Sequence, residues 1–224
     1  MIDYKLIRSN RKTTAIYVRN RSVEIRAPHK MPKRDINQFI SEREQWILKS
    51  IATQQAHAEK KESFSIDYGS SILLRGKTYP VVKRDGTQAG FEDEGFYMPP
   101  GLSTEQIKFT CVKLYKMLAK ARIADRVGFF APQMNVTPSA VKINSAKRRW
   151  GSCSSQRSLN FSWRLIMAED SIIDYVVVHE LAHIKEMNHS SRFWNIVEGV
   201  LPDYQARKNK LKELQQRLSG EDWE

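Results

Sequence analysis

Cysteine is scarce: the 224 residues hold two, Cys111 and Cys153, and neither stands in a Cys-x-x-Cys pair. A disulfide scaffold is thereby excluded. No apolar run approaches the roughly 18 residues that a membrane span requires. The opening Met1-Ile-Asp-Tyr-Lys meets a charge within three positions and has no apolar core, which does not suit a secretion signal. A soluble, cytoplasmic protein with no membrane partner is expected. A Gly-rich phosphate loop of Walker type is missing, as is an acidic cluster of the kind that holds Mg²⁺. With 41% hydrophobic and 28% charged residues, the composition also excludes collagen-like, low-complexity and wholly disordered chains. The length suits one ordinary domain or two small ones.

Positive charge is abundant. Lys and Arg number 37 against 25 acids, a formal net charge of +12. Residues 1–30 concentrate it, with eight cations against two acids, and Lys142, Lys147, Arg148 and Arg149 form a second group. Such a surface attracts polyanions, DNA among them, and equally serves solubility. Neither a helix-turn-helix nor a zinc-finger pattern accompanies it.

Alternation of apolar and polar residues marks strands at 4–8, 14–18 and 22–27, with Asn20-Arg21 as a tight turn between the last two. From Lys33 a helical period places Ile36, Phe39, Ile40, Ile47 and Ile51 on one side. It fades into the polar stretch 54–62, a helix end or a linker. Residues 64–99 read as β again, punctuated by glycines at 69, 76, 86, 90 and 95. Ser103 and Gln106 have capping-box spacing and open a long helix carrying Ile107, Cys111, Leu114, Leu118 and Ile123, expected to end at Gly128. The expected fold class is α+β, with a β-rich basic part at 1–100 containing one helix and a more helical part at 101–224.

The chemistry concentrates in His179-Glu180-Leu-Ala-His183. Ser171 and Asp174 have capping-box spacing, which predicts a helix running through this motif. On a helix His179 and His183 lie one turn apart on one face, where two neutral imidazoles can occupy two corners of a Zn²⁺ tetrahedron. Glu180 is rotated by about 100° and so stands beside that face, where a carboxylate can take a proton from water. A third ligand is needed if one corner is to stay open. His189 completes H-E-x-x-H-x5-H if the helix ends and the chain turns back, for which Asn188, tolerant of left-handed backbone, is suitably placed. Glu198 in the following helical stretch is the other candidate. Metzincins place Gly where Glu186 stands and follow with a Met-turn, and no Met occurs after Met187. His29 and His57 fall outside any cluster and read as surface histidines.

Upstream, alternating runs at 141–144 and 159–165 flank a Gly/Ser-rich bend, which predicts a β-hairpin beside the metal helix. Such a strand can offer its edge to an extended peptide. Arg149, Trp150, Gly151, Ser152 and Asn160 are the candidate substrate contacts, although a tryptophan such as Trp150 is more often a packing residue than a substrate contact. Cys153 is a possible thiolate ligand or a small side chain.

The segments Arg149-Trp-Gly-Ser-Cys-Ser154, Asn160-Phe-Ser-Trp-Arg-Leu165, Val178-His-Glu-Leu-Ala-His183, Asn188-His-Ser-Ser-Arg-Phe-Trp194 and Pro202-Asp-Tyr204, in this order, resemble the YgjP-like metallopeptidase family of metal-dependent hydrolases. Arg26-Ala-Pro28 and the segment from Tyr68 to Tyr79 resemble it too. The resemblance implies a zincin-like C-terminal domain with His179, His183 and His189 as zinc ligands and Glu180 as general base. It also implies distant kinship to SprT and Spartan-type proteases, which act on proteins attached to DNA. Nucleotide pyrophosphatase activity is attributed within the family as well. Three functions follow for the chain: a zinc peptidase acting on protein or peptide substrates, some of them DNA-associated; a metal-dependent phosphohydrolase using Lys147, Arg148 and Arg149 as phosphate contacts; or a nucleic-acid-binding module whose metal is structural. Nothing in the sequence fixes an oligomeric state.

Overall fold

A computed structural model describes residues 2–19, 22–92 and 95–223. The Asn20-Arg21 turn and the side chain of His57 lie outside the described residues. Two compact units divide the chain, Met1–Phe64 with Ser219–Asp222, and Ser65–Leu218 with the last two residues.

In the first unit, β1 (Lys5–Ser9), β2 (Ala15–Arg19) and β3 (Ser22–Pro28) form a sheet in the order β1-β3-β2. β3 is central, parallel to β1 and antiparallel to β2. Its alternation turns Val23, Ile25 and Ala27 inward against Ile36, Ile40 and Ile47. The helical period that begins at Lys33 resolves into two helices, α1 (Lys33–Ser41) and α2 (Glu44–Glu62). Arg43, at φ −117° and ψ 11°, leaves helical geometry between them. α2 continues through the polar stretch 54–62, which is helix and not linker. Part of the basic charge here is structural. The Arg8 guanidinium donates to the carbonyls of Pro28, His29 and Met31 at 2.8–2.9 Å, and Arg26 pairs with Glu24 at 2.6 Å.

The second unit opens with β4 (Ser71–Leu74), β5 (Lys77–Lys83), β6 (Gly90–Glu92) and β7 (Gly95–Met98), in sheet order β4-β5-β7-β6. Arg75 and Gly76, both at positive φ (49° and 78°), make the two-residue β4–β5 turn. This sheet packs with α3 (Thr104–Gln133): the Tyr115 hydroxyl donates to the Leu73 carbonyl at 2.7 Å, and the Phe96 and Tyr115 rings lie 5.4 Å apart. Those contacts place residues 65–100 in the same unit as the helices, so the compact units part at Phe64/Ser65 and not near residue 100.

α3 starts at the capping box of Ser103 and Gln106 and runs past Gly128. A glycine inside a helix costs only about 1 kcal/mol, and buried Val127, Phe130 and Ala131 continue the packing stripe across it. The stop comes from Asn135 at φ 49°, with Asn135 and Val136 amides donating to the carbonyls of Pro132 and Ala131.

β8 (Ala140–Asn144), β9 (Gly151–Cys153) and β10 (Ser158–Ser162) form a second sheet in this unit, in the order β8-β10-β9. The expected hairpin between 141–144 and 159–165 is therefore not formed. β8 and β10 are parallel, and the hairpin is β9–β10, built from the Gly/Ser-rich segment itself. Residues Trp163–Met167 form a 3₁₀ turn, not strand, and are all buried. α4 (Asp170–Ala182), α5 (Ser191–Val200) and α6 (Tyr204–Leu218) complete the unit.

α4 is apolar nearly all round and correspondingly buried. It begins one residue before Ser171, and no side-chain cap forms. Asp174 instead takes two hydrogen bonds from Arg126 of α3, at 2.6 and 3.1 Å. Asp170 sits in the first turn, where the helix dipole favours an anion, between Arg75 and Arg122. Burial alone would raise the Asp170 carboxyl, but hydrogen bonds from the two arginines outweigh it and hold the group below the usual carboxylate range. A depressed folded pKa contributes stability above the unfolded value of about 3.9, lost as pH falls through the folded value. Asp170→Asn is expected to lower stability at pH 7 by about 1 kcal/mol, the upper range for a partly exposed ion pair. The difference from wild type should narrow as pH falls through the folded value of Asp170, as read from urea unfolding at pH 7 and at successively more acidic pH.

Candidate metal centre

Three imidazoles converge at the C-terminal end of α4. His179 projects from its last turn, His183 caps it, and the chain bends back through 184–190 to bring in His189. Their ligand-capable atoms all lie within 4.8 Å of one another. The Nε2 atoms of His179 and His189 are 3.1 Å apart. Two nitrogens on one tetrahedral zinc, each at about 2.0–2.1 Å, would be separated by roughly 3.3–3.4 Å, so this spacing is close to an edge of such a tetrahedron. The return does not use left-handed backbone at Asn188. Its side-chain oxygen accepts from the Ser190 amide at 3.0 Å and turns the chain that way.

The protonation states suit a cation. His183 Nδ1 lies 3.1 Å from the Glu186 carbonyl, which can only accept, so Nδ1 donates and Nε2 keeps its lone pair. Burial, reinforced by His183, His189 and Lys208, pushes His179 down to about 3 and keeps it a neutral imidazole. Its Nδ1 and the Glu180 Oε2 are buried polar atoms without a hydrogen-bond partner among the described residues. Burial pushes the Glu180 carboxyl up to about 8 despite the nearby positive charge of Arg149. Clustered imidazole nitrogens beside a buried acid whose Oε2 is unpaired form an environment that a divalent ion completes. The donor set therefore fits a metal.

Aromatic rings fix this arrangement from below. Phe193 of α5 is fully buried, with its centroid 4.5–4.8 Å from all three imidazoles. Trp194 stacks on His189 at 5.7 Å and on Tyr204 of α6 at 5.3 Å. Glu198, the alternative third ligand, is exposed and outside the donor group, and half-buried Cys153 is outside it too.

Glu180 lies against β9. A Cβ on Gly151 would meet Glu180 Oε1 at 2.5 Å, Cγ at 2.6 Å and Cδ at 2.8 Å, so only glycine lets strand and carboxylate approach this closely. Gly151→Ala is expected to displace the carboxyl, cutting turnover about 100-fold, the order of loss for a roughly 1 Å misplacement. Metal content should stay at the wild-type stoichiometry, checked by elemental analysis beside kinetics.

Two cavities meet at this point. One, of about 280 Å³, is lined by Gly151, Ser152, Cys153, the three histidines, Glu180 and Met187. The other, of about 200 Å³, is lined by Trp150, Gly151, Tyr175, Val176, His179, Glu180 and Leu211. Trp150, Gly151 and Ser152 of the expected contacts are thus at the site. Arg149 is exposed beside it, and Asn160, paired with Ser152 across the sheet, lines neither cavity. Sequence reading missed Phe193, Trp194, Tyr175, Leu211 and Met187 as site residues. Tyr175 carried a signal, standing one helical turn before His179. Leu211, on a later helix, carried none.

The description "YgjP-like, metallopeptidase domain" matches residues 12–214. The chain belongs to that family. It is a metal-dependent hydrolase of the metallopeptidase type, and YgjP-like membership implies a metal ion. Among solved structures, the metallopeptidase zymogen of Pyrococcus abyssi abylysin aligns at a TM-score of 0.40 with 23% identity, over 42% of this YgjP-like chain and 95% of its own. The zymogen of Methanocaldococcus jannaschii jannalysin aligns at 0.36 with 24% identity over the same shares. Comparison with curated proteins returns no match. Among the described residues, no helix of this YgjP-like protein is long and apolar enough to cross a membrane.

Proposed function

We propose that this protein is a zinc endopeptidase in which His179, His183 and His189 hold the ion and Glu180 is the general base. The observation that carries the reading is the convergence of three imidazoles beside a buried, unpaired carboxyl. Zinc bound there would polarise the scissile carbonyl and lower the pKa of water to about 7. Glu180 takes the proton from the attacking water at Oε1 or Oε2 and passes it to the leaving amine. β9 is an edge strand, with β10 on one side only. Its outward amides and carbonyls from Gly151 to Cys153 bind an extended peptide backbone and carry it across the histidines.

The basic residues Lys142, Lys147, Arg148 and Arg149 would favour protein substrates held on DNA or another polyanion. The phosphohydrolase reading is less well supported, since neither cavity lining contains a lysine or arginine to hold phosphates. A structural metal is likewise disfavoured, because Cys153 stands outside the donor group and leaves no fourth protein ligand among the described residues.

The test is cleavage of an unfolded protein substrate, with and without DNA. Activity should be abolished by a chelator and restored by one equivalent of Zn²⁺. Metal-dependent phosphate release from nucleoside triphosphates without peptide cleavage would overturn the assignment.

A further inference from the structure

The two cavities share Gly151, His179 and Glu180 in their linings, so they adjoin the centre at two ends. Their chemistry differs. The larger end holds the imidazoles, Ser152 and Cys153. The smaller end is walled by Trp150, Tyr175, Val176 and Leu211, and its only other lining residues are the three shared ones. Tyr175 and Val176 are fixed on α4 and almost wholly buried (4% and 3% exposed), while Leu211 closes the wall from α6. An apolar wall this close to Glu180 is not needed for water activation. It has the character of a recognition pocket.

We propose that this apolar end receives a large apolar side chain, of leucine or phenylalanine size, from the substrate residue flanking the bond that is cut. The inference rests on the peptidase reading and deepens it. A cavity of about 150 Å³ with apolar walls accommodates benzene, so about 200 Å³ accommodates a phenyl or isobutyl group. A lysine or arginine side chain finds no acid in the lining other than Glu180, and the positive charges of Arg149 and Lys208 already act on Glu180 and His179. An aspartate would give up its hydration against tryptophan, tyrosine, valine and leucine. The substrate backbone lies along β9, which ends beside this pocket at Gly151, so the side chain entering it belongs to a residue next to the reacting carbonyl.

The zinc-loaded, full-length enzyme is given peptides identical except for Phe, Leu, Ala, Asp or Lys at one position, and cut sites are located by mass spectrometry. Phe and Leu peptides should be cut next to that residue with kcat/KM about 10–200-fold above the Ala peptide, and Asp and Lys peptides no better than Ala. Leu211 is half-buried, so Leu211→Trp narrows the pocket with the fold retained. It should reduce the Phe-over-Ala ratio at least about 10-fold, whereas Leu211→Ala should shift preference towards a Trp peptide. Cleavage without side-chain preference, a preference for Lys or Asp, or a ratio unmoved in both variants overturns the proposal while leaving the peptidase reading intact. Failure of the wild type to cut any peptide or unfolded protein overturns the peptidase reading, and this inference with it.

Discussion

Glu180→Gln should bind metal at the wild-type stoichiometry and lose peptide cleavage by about 10²–10⁴-fold, the usual contribution of a positioned general base. Glutamine is nearly isosteric, so the contact with Gly151 and the packing around α4 are preserved, and only the capacity to accept a proton is removed. The burial that raises the wild-type carboxyl poses no charge penalty for the amide. The variant should therefore be no less stable than wild type in thermal unfolding. Turnover within a factor of three of wild type would show that some other group moves the proton.

His189→Ala should have the second large effect. His189 is exposed, unlike His183, so its removal disturbs the fold less than removal of His183 would, although it uncovers one side of Phe193 and Trp194. Losing a partner that merely orients a ligand costs 10–100-fold in metal affinity, and losing a ligand should cost more than about 100-fold. Elemental analysis after dialysis should find one equivalent of metal in wild type and little in His189→Ala, with peptide cleavage falling in parallel. Glu198→Ala is the control: its carboxylate stands outside the donor group, so metal content and activity should not change. The opposite pattern, metal lost in Glu198→Ala and kept in His189→Ala, would reassign the third ligand.

Much of the architecture was legible along the chain. Alternation in 22–27 located β3 and its buried face, and Ser103 with Gln106 located the start of α3. These are short-range features, set by residues within one turn or one pleat of each other. The misreadings have a common origin. Ser171 and Asp174 had capping-box spacing, yet Asp174 pairs with Arg126, far away in sequence. Gly128 looked like a helix end, yet packing by Val127, Phe130 and Ala131 carried α3 through it. The runs at 141–144 and 159–165 looked like a hairpin, and alternation cannot distinguish parallel from antiparallel partners.

The residue pattern alone placed His179, His183 and Glu180, because positions i, i+1 and i+4 of a helix have fixed relative directions whatever surrounds them. Tertiary structure decided what the pattern left open. It brought His189, and not Glu198, back to the two imidazoles, set the β9 backbone at Gly151 against the Glu180 carboxyl, and carried Leu211 of α6 to the wall of the cleft. Each of those juxtapositions joins separate elements, and their spacing depends on how the intervening chain packs, which no local periodicity encodes.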